Sequence, residues 1–426
     1  MSPIQDHPLR YALANELHAR PFPSLAAPGQ AAYLALKHPQ DAASRDRVAD
    51  RTHLLALLDR FGAKHPPPGA THYFGDLGRF RLKWEQHTEF VTYTVFLAGA
   101  PDRAFDPDVF GLFPEDWLAA APGLCITSAL IEVQAMDSVP AMQDKLAEWF
   151  VPESLAVSRI LDDGAVMAGD FRIDSAGHMR FAVFADPAMG SRRVGRVVQR
   201  ICEIETYKAM SMLGFARVRD LSGRLGQIDG ALEALVEDMT GKVTPAETTL
   251  ASLLQIAAEL ESLQAKSSFR FSASAAYEAL VGQRIAVLRE ERFEGRQSFA
   301  EFMARRFDPA MRTVRATEAR LRSMTGRAVR ASDLLRTRVD VDRSAQNQAL
   351  LKSMDRRADL QLRLQKTVEG LSVVAISYYA VNLAGYLLDP LASGAGVPKP
   401  WLTAGLTPVV IVAVFLIVRR VRRTMG

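Results

Sequence analysis

Four polar side chains recur at helical spacing inside an apolar run near the end of the sequence. Ser372, Tyr379, Asn382 and Tyr386 are separated by seven, three and four residues, so a helix carries them on one face, and Ser377 lies off it. Hydroxyl and amide groups can line an ion path when copies of a helix surround an axis. The same groups can instead bond to a neighbouring span, or to their copies in a sealed bundle. The residues leave both interpretations open.

Glu369 precedes this face and would add a ring of carboxylates at the mouth of such a path. The residues identify no metal ligand set, and no cofactor is evident; a divalent cation is implied only by the family resemblance given after the domain organisation.

Signatures of other chemistry are missing from the sequence. The eight histidines show no HxxxH or HExxH spacing, and no GxSxG, GxGxxG or Walker A motif occurs. Asp162, Asp163, Asp170 and Asp174 could bind a cation, although acidic residues near turns are mostly solvated. The sequence predicts that the protein is not an enzyme.

Two apolar runs, residues 371–388 and 401–418, are each long enough to cross a bilayer core. A loop that contains proline and glycine, residues 389–400, joins them. Basic residues flank the other ends of both runs: Arg363, Lys366, Arg419, Arg420, Arg422 and Arg423. The excess of positive charge on one side predicts a hairpin with both chain termini in the cytosol. No secretory signal pattern opens the sequence, so most of the protein should stay in the cytosol.

Residues 1–186 predict an α+β domain with a mainly antiparallel sheet. Helical patterns cover residues 8–20, 44–61 and 141–150, and the second should bury Val48, Leu54, Leu55 and Leu58. Strand candidates are residues 79–84 and 90–97, which form a hairpin, followed by residues 126–133, 156–161, 166–173 and 179–184.

The rest of the chain reads as helix. Helices are predicted over residues 191–213, 218–239, 245–266 and 273–292, followed by one very long helix without proline beyond Pro309. Its first heptad seam is Val314, Thr317, Leu321, Met324, Ala328, Ala331 and Leu335; a weaker second seam is Leu350, Met354, Leu364, Val368 and Leu371. The long helix either packs on a neighbour in the same chain or forms a coiled stalk between subunits.

These patterns divide the chain into seven parts. They are a cytosolic α+β domain (1–186), a helical region (187–308), a stalk helix (309–370), a first transmembrane helix (371–388), an outer loop (389–400), a second transmembrane helix (401–418) and a basic cytosolic tail (419–426).

Charge is distributed unevenly along the chain. Residues 284–366 contain 20 basic and 11 acidic side chains, a net charge of +9 within a chain whose total is +4. A basic segment next to apolar runs indicates an anionic membrane surface as partner. Nucleic acid is not expected, because acidic residues dilute the basic ones and no aromatic residues are interleaved for base stacking.

The block DHPLRYALANELHARPFPSL, residues 6–25, together with the stalk and hairpin, resembles a bacterial family of uncharacterised membrane-anchored proteins. The architecture also resembles the CorA family of divalent-cation channels, in which five subunits surround a pore lined by their first spans. That family's Gly-Met-Asn tripeptide is absent here; the corresponding stretch is AGYLLDP, residues 384–390. The resemblance therefore implies topology and a pentamer but carries over no ion-selecting residues.

Taken together, the residues predict a homo-oligomeric, multi-pass protein of the bacterial inner membrane, with a CorA-like cation path along its first transmembrane helix. The alternative is a membrane-anchored cytosolic scaffold or sensor without transport activity. The sequence identifies no ion, ligand or protein partner.

Overall fold

The structure is a computed structural model that describes residues 4–16, 22–39, 46–240, 244–394 and 398–425. Parts of the predictions for residues 8–20, 44–61 and 389–400 lie outside these residues. The chain divides into two compact units. Unit 1 comprises Met1–Gly241 and Ala251–Ala331, and unit 2 comprises Lys242–Leu250 and Ser332–Gly426.

Unit 1 contains the strands, and its described part holds one mixed sheet. The strands are β1 (Gly29–Lys37), β2 (His72–Asp76), β3 (Arg81–Gln86), β4 (Phe90–Ala98), β5 (Leu124–Ala135), β6 (Ala156–Ile160), β7 (Ala165–Ile173), β8 (Met179–Ala185) and β9 (Glu291–Arg292). Their order is β2-β3-β4-β1-β5-β8-β7-β6-β9, and the pairs are antiparallel except for β5 with β8. The α+β class with a mainly antiparallel sheet is confirmed.

The helices connect and cover this sheet and continue to the end of the chain. They are α1 (Arg10–Glu16), α2 (Arg47–Arg60), α3 (Glu115–Ala119), α4 (Val139–Trp149), α5 (Ser191–Thr240), α6 (Ala246–Ala286), α7 (Phe299–Arg306), α8 (Asp308–Gly394) and α9 (Lys399–Met425). A short 3-10 helix covers Pro107–Leu112.

Both faces of the sheet are buried, and side chains alternate between them as the period of a strand requires. One face carries Leu34 and Tyr93, which belong to the main core together with Leu54 of α2. The other face lies against α5, where the Tyr33 hydroxyl hydrogen-bonds to Thr206 Oγ1. Unit 1 is therefore a sheet between two helical layers.

The predicted hairpin is confirmed, because β3 pairs antiparallel with β4. Two predictions were wrong in this region. The central strand β1 went unpredicted, and Val48, expected in the core face of α2, is exposed because it lies in the first turn of that helix.

Helix α5 is continuous where the sequence predicted two helices with a break near Gly214. A Cβ at Gly214 would lie 2.4 Å from Ser274 Oγ, so the glycine permits close packing between α5 and α6 rather than ending a helix. Helix α6 is also continuous, but it ends at Ala286 and not at residue 292 as predicted. Beyond it, Arg289 adopts a positive φ of 51° and Glu291–Arg292 joins the sheet as β9.

The first heptad seam of α8 is buried, from Val314 at 3% exposure to Met324 at 0%. Within unit 1, Asp229 of α5 accepts a hydrogen bond from Arg320 at 2.7 Å and another from Arg327. For this part of the long helix, packing within the same chain is the correct alternative.

Unit 2 consists mainly of the rest of α8 and α9. Arg343 of α8 pairs with Glu247, 2.8 Å between Nη2 and Oε1. Helix α8 runs to Gly394 with Pro390 inside it, and α9 begins at Lys399. The predicted loop of residues 389–400 is therefore helical at both ends, because Pro390 removes one backbone hydrogen bond without ending the helix.

Candidate functional site

Two helices among the described residues are long and apolar enough to cross a membrane: Asp308–Leu391 and Lys399–Val421. Only 6% of the most apolar window in each is buried within the chain. These helices contain the two predicted apolar runs, residues 371–388 and 401–418, which we call the apolar hairpin. Apolar side chains exposed on this scale require lipid or another protein surface as a partner.

The four predicted site residues on α8 form one exposed surface, here called the polar face: Ser372, Tyr379, Asn382 and Tyr386. Tyr379 is 72% and Tyr386 75% exposed. No hydrogen bond links the Asn382 amide to a described residue. The polar face thus points mainly away from α9 and does not satisfy its groups within the described hairpin.

The residue that turns toward α9 is Ser377, which the sequence placed off the polar face. It is 5% exposed, and its Oγ has no hydrogen-bond partner among the described residues. An apolar groove of 410 Å³ lies beside it, lined by both helices: Val373, Val374, Ser377, Tyr378, Val381, Asn382, Thr403, Thr407 and Ile411. Sequence reasoning missed this groove, although the periodic valines opposite the polar face were its signal.

Glu369 lies at the end of the hairpin that carries the arginines. It is half-buried and accepts a hydrogen bond from Gln365, 3.3 Å between Nε2 and Oε1. It lines a pocket of 300 Å³, here called the basic pocket, with Lys366, Gly370, Val373, Phe415, Val418 and Arg419. The predicted carboxylate at the mouth is therefore beside two cations.

The predicted flanking residues divide into three groups. Arg363 pairs with Asp359 one turn earlier, 3.3 Å between Nη2 and Oδ2. Lys366 and Arg419 line the basic pocket, and Arg420 follows Arg419 on α9. The side chains of Arg422 and Arg423 lie outside the described part of the chain. At the opposite end of the hairpin, Lys399 pairs with Asp389 at 2.9 Å.

Unit 1 holds a second group of polar residues that the sequence analysis missed. Between β3 and α5, Lys83 Nζ lies 2.9 Å from Glu85 Oε2, and Gln199 donates to Glu203 at 2.7 Å. The cavity beside them has a volume of only 20 Å³, room for about one water molecule. Lys83 and Glu85 are two positions apart on β3, so their side chains share one face of the strand. This alternation was the signal available in the sequence.

Ser128 and His178 also meet in unit 1, with Oγ 2.9 Å from Nδ1. Burial lowers the pKa of His178. The nearby carboxylate of Asp174 accepts the backbone N–H groups of Ala176 and His178, each at 2.9 Å, rather than a ring N–H. The pair therefore lacks the contact that orients the base in a hydrolytic triad.

The four aspartates considered as cation ligands are engaged separately. Asp162 pairs with Arg289 at 2.5 Å, and Asp163 lies 3.6 Å from Arg159. Asp170 accepts the Val151 backbone N–H at 3.2 Å, whereas Asp174 closes a turn. Within the described ranges, no group of three or more histidine, cysteine or acidic residues is placed to hold a metal ion.

Comparison with known proteins gives one match. A family model described as "Protein of unknown function (DUF3422)" matches residues 5–425, which confirms the resemblance to an uncharacterised family. No curated protein and no solved structure matches the chain. The architectural resemblance to the CorA family therefore stays a prediction.

Proposed function

The chain belongs to the DUF3422 family of unknown function, and we propose that it is a homo-oligomeric membrane protein in which α8 of several copies surrounds a path for cations. The apolar hairpin spans the bacterial inner membrane, and unit 1 and the stalk part of α8 lie in the cytosol. The protein carries out no covalent chemistry in this proposal.

The observation that carries the proposal is the exposure of the second heptad seam. Leu350 is 60%, Leu364 67% and Leu371 67% exposed, so the residues that the structure describes leave most of these side chains uncovered. Leucines at heptad spacing on a continuous helix are covered when parallel copies of the helix come together. The burial of the first seam within unit 1 contrasts with this and limits the intersubunit stalk to the later part of α8.

The polar face lies within the apolar hairpin and also favours assembly of several copies. Hydroxyl and amide groups in a lipid-facing position are costly, since hydrocarbon offers no hydrogen bonds. Copies of α8 around an axis place Ser372, Tyr379, Asn382 and Tyr386 on a shared inner surface. Oxygen atoms of these side chains are suitable contacts for a passing cation.

Charge at the hairpin supports the proposed orientation. Lys366, Arg419 and Arg420 flank the apolar windows at one end, and the Asp389–Lys399 ion pair is at the other. The positive-inside rule then places the arginine-rich end, and both chain termini, on the cytosolic side. The cargo we propose is a divalent cation, on the basis of the topology shared with the CorA family alone.

The test combines stoichiometry with flux. The full chain, purified in mild detergent, should form a ring of about five subunits, and proteoliposomes should take up Mg²⁺ or another divalent cation. Asn382→Ala should change that uptake, whereas Thr403→Val, a polar-to-apolar change on α9, should leave it close to the parent rate. A dimer, or a ring that admits no divalent cation, would refute the path.

A scaffold or sensor role is the second candidate, and a groove in unit 1 favours it. The groove has a volume of 630 Å³ and is lined by small and apolar residues of α6 and α7, among them Ala279, Gly282, Ala300 and Met303. A surface of this kind accommodates a helix of a partner protein. This role is supported if the full chain recovers one partner stoichiometrically and Gly282→Trp abolishes that recovery. A partner that Gly282→Trp still recovers, or no partner at all, would count against it.

A further inference from the structure

The basic pocket and the apolar groove are adjacent along the hairpin, since Val373 lines both. We propose that together they bind one anionic phospholipid, with its phosphate between Lys366 and Arg419 and one acyl chain along the apolar groove. This inference rests on the membrane insertion of the hairpin in the proposed function, but not on the cation path.

The charges of the basic pocket match a lipid phosphate. Neither Lys366 nor Arg419 forms an ion pair with any residue that the structure describes. Glu369, the acidic member of the lining, accepts a hydrogen bond from Gln365. Basic pockets between spans at the cytosolic side of a membrane recognise anionic headgroups in this way.

The backbone leaves room for the headgroup at the centre of this pocket. A Cβ at Gly370 would have no neighbouring atom within 4 Å, so the helix surface between the two cations is open. Phe415 and Val418, on the same helix as Arg419, add apolar surface to the pocket. The pocket therefore offers two cations to a phosphate and apolar contacts to the carbon atoms next to it.

The apolar groove matches an acyl chain. Its lining on α8 extends from Val373 to Asn382 and includes three valines, and Thr403, Thr407 and Ile411 line it on the facing helix. Nine residues of helix advance about 13 Å, which is comparable to a run of ten methylene groups. Lipid is the occupant that this groove favours, because it adjoins the basic pocket and lies on a hairpin whose apolar side chains are mostly exposed.

Ser377 adds an independent observation. Its hydroxyl is buried without a partner, and side chains on a helix lean toward the N-terminus, here toward Val373. Ser377 lies seven residues, about 10 Å of helix, beyond Gly370 and lines the apolar groove. A polar group of a lipid that enters the groove would accept a hydrogen bond from this hydroxyl.

The experiment is native mass spectrometry of the full chain in mild detergent, titrated with dioleoyl phosphatidylglycerol or dioleoyl phosphatidylcholine. We expect one retained phosphatidylglycerol per chain and weaker retention of phosphatidylcholine. Replacing Lys366→Gln and Arg419→Gln together should weaken phosphatidylglycerol binding roughly 30-fold, since each basic residue near the headgroup contributes about fivefold. Glycerol 3-phosphate should not compete, because it has no acyl chain.

Two further variants separate the alternatives. Arg356→Gln with Arg363→Gln removes the same charge from α8 outside the basic pocket and should leave binding nearly unchanged. Val381→Trp fills the apolar groove and should reduce retention of both lipids. Equal retention of the two lipids, or equal effects of the two double variants, would overturn the proposal.

A second copy of α8 is the competing occupant. If Val381→Trp alters the oligomer number and leaves lipid retention intact, the groove is a subunit interface and the lipid assignment is wrong. Failure of the hairpin to float with membranes would instead refute the proposed function. Flotation without lipid retention would refute this inference alone.

Discussion

The proposed oligomeric stalk requires that leucines on the second heptad seam control assembly. The perturbation is Leu350→Gln with Leu364→Gln, and glutamine has nearly the helix propensity of leucine, so α8 should stay helical. Both side chains are about two-thirds exposed in the single chain, at 60% and 67%. Assembly of several copies therefore has most of their apolar surface left to bury.

The magnitude follows from that exposed fraction. Complete burial of a leucine side chain contributes about 1.5–3 kcal/mol, so burying the remaining two-thirds contributes about 1–2 kcal/mol per leucine. The double variant should lose about 2–4 kcal/mol per subunit, which moves the concentration for half-assembly roughly 30- to 700-fold.

The assay is sedimentation velocity of the full chain in mild detergent over a dilution series. The matched control is Leu351→Gln with Leu362→Gln, because these leucines are similarly exposed, at 63% and 56%, but lie off the seam. The control should dissociate near the parent concentration. Equal shifts for both variants, or no shift for either, would refute the seam as a subunit contact.

Three predictions concern unit 1, each measured as the thermal midpoint of the full chain. Burial lowers the pKa of His53 from its ordinary 6.5, so on acidification the unfolded chain binds a proton at a higher pH than the folded chain does. The midpoint should therefore be highest above pH 6.5 and fall as the pH drops below it, and this fall should be smaller in His53→Gln. Burial raises the pKa of Glu132, and its Oε2 has no hydrogen-bond partner among the described residues, so the ionised carboxylate is costly in the folded chain. Glu132→Gln should therefore raise the midpoint at pH 8, and the gain should shrink on acidification. A lower midpoint at pH 8 would contradict this. A Cβ at Gly195 would lie 2.1 Å from the Pro23 carbonyl oxygen, so Gly195→Ala should lower the midpoint. On the same helix a Cβ at Gly223 meets no atom within 4 Å, so Gly223→Ala should stabilise the folded chain by up to about 1 kcal/mol. Equal effects of the two variants would contradict the close contact at Gly195.

Sequence patterns predicted the hairpin of β3 and β4 but neither the edge strand β2 nor the central strand β1. β1 reads GQAAYLALK and is buried on both faces, so it shows no polar alternation, and its alanines and leucines are typical of helices. Its place is determined by pairing with β4 and β5, which are distant in sequence. Only tertiary contacts could reveal it.

Glycine gave the opposite error in the helical region. The predicted helices ended at residue 213 and resumed at residue 218, yet α5 continues through Gly214, where the absence of a side chain allows Ser274 of α6 to approach. A single sequence does not distinguish a glycine that ends a helix from one that admits a neighbour, because both depend on what lies opposite.

At the candidate site, too, the sequence indicates which residues share a helix face but not which residues of two helices meet. Helical spacing groups Ser372, Tyr379, Asn382 and Tyr386 on one face of α8, and all four side chains are exposed. It could not assign Ser377 to the contact with α9, since that depends on how the two helices of the hairpin rotate against each other. The basic pocket likewise needs Lys366 and Arg419, residues 53 positions apart, on facing helices.

The order of the strands has a consequence for how the sheet can be divided. β1 pairs with β5 over nine residues, and this pairing joins a half made of β1–β4 to a half that begins at β5. Cutting the chain in the connection between β4 and β5 would expose a full row of backbone donors and acceptors on each fragment, a template for aggregation. Produced together, the two fragments should instead complement each other, because each edge is the natural partner of the other.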